Sequence, residues 1–265
     1  MGILKQEKTA WDKAYRALWR REERFLRHYE KKEPSALERK IASAAPDAIV
    51  ETLHTAFVKA FGVVFEKGTG AILKAGGVDK RRIDYEVNVL AADQQEDKKT
   101  LKAFSKAASR AGAGNVLLSG AAGIGMGAFG VMLPDVPLFT AMLLKTVYET
   151  GESYGYRAEE EKLFALRLVN TALTDGPSLR KKDAWLNRYI QEGQWPDVPD
   201  VKEEMDAAAR SLSRAVLYSK AVQNVPVVGA VGGAGDAVIL SRVQKYAAIK
   251  YQKRFLIRRK LSGQQ

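Results

Sequence analysis

The chain has no cysteine and only two histidines, His28 and His54, in 265 residues. Without thiols it can form no disulfide, thiolate nucleophile, iron–sulfur cluster or cysteine-type zinc site. Two histidines also exclude a histidine-rich metal centre. A cysteine-free composition suits a reducing compartment. No apolar h-region follows Met1-Gly2-Ile3-Leu4-Lys5-Gln6, so no secretory signal is expected. Gly2 invites a myristoylation reading, but Gln6 stands where Ser or Thr is wanted. Strand-like alternation is confined to 83–89, with Ile83, Tyr85, Val87 and Val89 at every second position. One strand has no partner to pair with, so an extended or helical connector is expected there. No fixed-period repeat and no long low-complexity linker occurs.

What is present is charge at the ends and glycine in the middle. The net charge is +12. Residues 1–40 hold twelve Lys/Arg against seven Asp/Glu, and residues 240–265 hold eight Lys/Arg and no acid. The stretch between is close to neutral. Basic ends around a neutral apolar middle point to an anionic membrane surface. Nucleic acid is the less favoured partner, because no RNP, helix-turn-helix or finger signature accompanies the charge.

The periodicity is helical almost throughout. Thr9 and Asp12 form a capping-box pattern, and Trp11, Tyr15, Leu18, Phe25, Leu26 and Tyr29 follow at helical spacing until Pro34. Ser35 with Glu38 opens a second, short helix. Asp47 caps a third, whose face is Ile49, Leu53, Phe57, Phe61 and Val64. Further helices are expected over 97–110, from Asp135 to about 151–155, over 159–174, 183–191 and 202–223, and finally to Arg259. Asp175-Gly176-Pro177 is a stop. The expected fold is all-α: a glycine-rich helical domain over 35–265, a peripheral basic helix over 1–34, and a long basic C-terminal helix.

Residues 111–134 carry no charge and are long enough to span a bilayer core. Five glycines between 120 and 130, and Pro134-Asp135 at the end, argue instead for close packing inside a protein core. Gly123 and Gly127 are four apart, as are Gly229 and Gly233, a spacing that lets two backbones approach. The two glycine-rich runs are therefore expected to pack together. Gly125-Met126-Gly127-Ala128-Phe129-Gly130 matches GxGxxG, but no preceding strand accompanies it. No nucleotide or other cofactor is expected. Ser119 lacks the frame of a nucleophile elbow, and His54, beside Leu53 and Phe57, reads as a structural residue.

The order of these segments resembles one family. Leu118-Ser119-Gly120 through Gly130, then Leu133-Pro134-Asp135-Val136-Pro137, then Tyr154-Gly155-Tyr156, and finally Pro226-Val227-Val228-Gly229-Ala230-Val231-Gly232-Gly233 before a basic aromatic helix, resembles the EcsC protein family over roughly 35–260. The family is bacterial in its best-known members and is named for a protein encoded beside an ABC transporter. The resemblance implies an intracellular setting on the inner face of a membrane, with a transport complex as a partner. It carries no catalytic residue across.

Two sets of candidate site residues remain. Asp135 and Asp236 each close a glycine-rich run; they read as a helix cap and a hydrogen-bonded core residue, or, as a hydrolase alternative, as paired acid–base carboxylates. In the last helix, Leu240, Val243, Ala247, Tyr251 and Phe255 share a face. Arg242, Lys245, Lys253 and Lys260 lie opposite, Arg254, Arg258 and Arg259 near the seam, and Lys250 adds to the charge. These eight cations are the expected anion- and membrane-binding set. The overall expectation is a peripheral membrane accessory or lipid-binding protein rather than an enzyme.

Overall fold

A computed structural model describes residues 9–33, 47–66, 85–86, 88–89, 102–110, 136–198, 200–222 and 232–262. Helix α1 spans Ala10–Glu30, α2 Asp47–Glu66, α3 Val136–Glu152, α4 Lys162–Ala172, α5 Ser178–Glu192, α6 Val201–Val222 and α7 Gly232–Ser262. A 3-10 turn, Ala158–Glu160, precedes α4, and residues 102–110 are also helical. No strand occurs among the described residues. The fold is all-α.

The ends of the helices follow their sequence signals. Thr9 Oγ1 accepts from the Asp12 amide and the Asp12 carboxylate accepts from the Thr9 amide, both at 3.2 Å, closing the capping box of α1. α5 ends at Gly193, whose φ of 72° is the left-handed conformation glycine adopts without strain. It starts directly after Pro177, five residues earlier than the periodicity indicated. In α3, in α4 and just beyond its end, the buried hydroxyls of Thr140, Thr150, Thr171 and Thr174 donate to the carbonyl four residues back. That satisfies polar groups where no water reaches.

α7 is the hub. Its 31 residues extend about 46 Å, and it packs against α1, α3, α4, α5 and α6. α6 closes over α2 and α4, and α3 packs on α2. The expected stripe of Leu240, Val243, Ala247, Tyr251 and Phe255 is buried. So are Tyr246 and Ile249 on other sides of the same helix. α1 belongs to the same core through Leu18, Phe25 and Leu26. It is a wall of the domain, a closer engagement than the peripheral placement read from its charge.

Asp135, Gly123, Gly127, Gly229, the GxGxxG match and the short helix from Ser35 lie outside the described residues. Gly233 lies in the first turn of α7. No described helix is long and apolar enough to cross a membrane.

Candidate functional site

Half of the cations expected to face a membrane point into the protein. Lys250 is 0% exposed, and Lys253 and Arg242 are buried with it. Lys250 Nζ contacts the carboxylates of Glu22 on α1 and Asp183 on α5, and the Asn187 amide oxygen at 2.8 Å. Lys253 Nζ holds Glu22 Oε2 at 2.7 Å and Asn187 Oδ1 at 3.0 Å. Tyr246 donates to Asp183 at 2.6 Å. Two ammonium groups thus face two carboxylates across three helices, and the cluster is neutral. Burial alone would raise the Glu22 pKa, but Lys250 and Lys253 outweigh it and hold the carboxyl below its ordinary value. Burial and the neighbouring Lys250 charge together depress Lys253, despite Glu22.

Arg254 and Arg242 do comparable internal work. Arg254 grips Glu161 with two bonds of 2.6 and 2.8 Å from one nitrogen and lies over the Tyr156 ring at 4.1 Å. Burial of Glu161 outweighs Arg254, so its pKa is raised. Arg242 donates to the Thr174 carbonyl and to Asp175, both at 2.8 Å, and stacks on Tyr29 at 3.5 Å. The reading of a basic outer face is therefore corrected for Arg242, Lys250, Lys253 and Arg254. With five helices packed on α7, a cation on its far side meets another helix before it meets solvent. Lys245, Arg258 and Lys260 are exposed, and Arg259 is half-buried. Arg258 lies beside Tyr85 and Tyr156.

Asp236 is buried, at 8% exposure, in the first turn of α7 and is engaged in a polar contact. His54 is buried in α2, its Nε2 2.8 Å from Asp206 Oδ1 of α6 but without the alignment of a hydrogen bond. It ties two helices together, as a structural histidine does.

A continuous row of outward charge lies on α1. Lys13, Arg16, Arg20, Arg24 and Arg27 recur at intervals of three or four and are all exposed. Only Arg27 has an acidic partner among the described residues, Glu23 at 2.7 Å. Arg180 also binds Glu23, and hydrogen bonds from the two arginines pull its pKa down to about 2. Trp19 and Tyr15, 58% and 40% exposed, lie on the same helix among these cations. Like charges one turn apart each disfavour a helix by a few tenths of a kcal/mol. α1 forms nevertheless because its inner side is anchored in the core by Leu18, Phe25 and Leu26 and by the Glu22 cluster. The spacing of this stripe was readable in the sequence; its outward direction was fixed only by which residues are buried.

Residues 12–256 match the EcsC protein family, and the chain belongs to that family. The match includes nearly all of α1, further toward the N-terminus than the resemblance over 35–260 reached. No curated protein and no solved structure matches the chain.

Proposed function

We propose that this EcsC-family chain is a peripheral membrane protein that binds the anionic inner surface of a membrane through the outer side of α1. The observation that supports the reading is the row Lys13, Arg16, Arg20 and Arg24, exposed and without acidic partners among the described residues, interleaved with exposed Tyr15 and Trp19. Basic residues near an anionic surface contribute about 1 kcal/mol each. Trp and Tyr favour the headgroup region, where the ring is buried and the polar edge stays wet. The exposed Lys245, Arg258 and Lys260 of α7 are additional points of attraction. On this reading the protein acts as an accessory or lipid-binding factor, with a membrane transport complex as the partner the family resemblance suggests.

The test is co-sedimentation with vesicles of phosphatidylglycerol and phosphatidylcholine, against phosphatidylcholine alone, at low and high salt. Binding should require the anionic lipid and fall with salt. Arg16→Glu with Arg20→Glu should weaken it at least tenfold, and Trp19→Ala should weaken it further. Lys245→Glu with Lys260→Glu should have a smaller effect. Deleting 250–265 is no test of charge, since it removes buried Lys253, Phe255 and Leu256 from the core. Equal binding to neutral vesicles, or a DNA shift that competes with vesicle binding, would overturn the reading.

A further inference from the structure

A cavity of about 560 Å³ opens where the C-terminal end of α1, the α4–α5 turn, α6 and the first turns of α7 meet. The only carboxylate among the described residues of its lining, Asp175, is already held by Arg242 at 2.8 Å and Lys32 at 3.3 Å. Two further lining cations, Lys182 and Arg214, have no acidic partner among the described residues. The Lys182 ammonium donates to Asn170 Oδ1 at 2.8 Å and to Thr174 Oγ1 at 2.9 Å, both uncharged. Asn170 Oδ1 also accepts from Ser211 at 2.8 Å. The amine is thus fixed in place, with its third proton unused among the described residues. Burial, and then the charge of Arg214 beside it, push the Lys182 pKa below its ordinary value. The Glu204 carboxylate offsets this only in part, so the two cations form an unfavourable pair that an anionic ligand would relieve.

Three other features converge on the same space. Arg242, a lining residue, has a buried Nε with no acceptor among the described residues. Ser178 opens α5 at the cavity with no side-chain cap on the helix, and the Leu179 amide donates to the Gly176 carbonyl at 3.1 Å, so the positive end of the helix dipole faces this space. Leu173, Ala215, Val238 and Ile239 supply an apolar side. The volume is that of a small-molecule site, many times the ~30 Å³ share of a water molecule.

We propose that this cavity binds a phosphomonoester, with Lys182 and Arg214 as charge partners of the phosphoryl oxygens and the apolar side against the rest of the ligand. A phosphomonoester carries about −1.5 to −2 charge at neutral pH and three acceptor oxygens, which suits two cations that have no carboxylate in a salt bridge among the described residues. The same chemistry occurs in a lipid headgroup and in a soluble ester. Isothermal titration at physiological salt separates the two sources, using dioctanoyl phosphatidic acid below its micelle concentration, phenyl phosphate, and dioctanoyl phosphatidylcholine.

At least one of the two phosphomonoesters should bind, and phosphatidylcholine should not. Tighter binding of phosphatidic acid identifies a lipid; equal or tighter binding of phenyl phosphate identifies a soluble ester. Lys182→Gln and Arg214→Gln should each weaken binding at least tenfold. Arg214 is exposed, so its variant tests the site even where Lys182→Gln fails to fold. Arg16→Glu with Arg20→Glu, which should weaken vesicle binding through α1, should leave this affinity within twofold. No binding of either phosphomonoester to the folded protein, or equal affinity in Arg214→Gln, would overturn the proposal.

Discussion

Glu22→Gln isolates the buried charge cluster. The substitution keeps the shape of the side chain and one acceptor but removes its charge. Lys250 and Lys253 are then left with Asp183 as their only carboxylate among the described residues, and Lys250 is fully buried. Breaking a buried pair by removing one partner costs about 3–5 kcal/mol, because the surviving charge stays desolvated. Asp183 and Asn187 still accept from Lys250, which places the expected loss near the lower end, about 3 kcal/mol. In a chain of this size that lowers Tm by roughly 6–12 °C. The folded-state pKa of Glu22 lies below its unfolded value. Its contribution is therefore fully present above about pH 4.5 and is lost as pH falls through the lowered folded value. Urea denaturation at pH 7 and at successively lower pH checks both points, and the gap between the parent and Glu22→Gln should close on acidification. Lys253→Met added to Glu22→Gln should recover part of the loss by removing the orphaned ammonium. A loss under 1 kcal/mol at pH 7, or a gap that persists into acid, would mean that water screens the cluster and would refute the reasoning.

Gly155 has a φ of +79°, and a Cβ there would fall on the Tyr85 ring. Gly155→Ala should cost about 1–3 kcal/mol of stability in a thermal or urea melt. Arg254→Lys retains the charge but loses the planar group lying over Tyr156 and the two bonds to Glu161. It should destabilise by about 2 kcal/mol, where an exposed Arg→Lys change such as Arg24→Lys should register almost nothing. Denaturant midpoints of the two variants, measured together, decide this.

What the sequence determined by itself was the set of local, periodic features. α1 begins at the Thr9–Asp12 capping box and ends before Pro34, and α6 and α7 run close to their expected limits, because caps and apolar spacing act within a few residues. The buried stripe of α7 was readable for the same reason. The tertiary structure decided which cations face water. Glu22 and Lys250 are 228 residues apart in the chain, and no spacing rule joins them. A lysine opposite an apolar stripe reads as solvated until a second helix is packed over it, and only the assembled core shows that α7 is covered by five helices. The cavity around Lys182 and Arg214 draws on α1, the α4–α5 turn, α5, α6 and α7. Each of its residues is ordinary on its own helix. Their chemistry arises from proximity, which depends on how the helices pack and is written in no single segment of the chain.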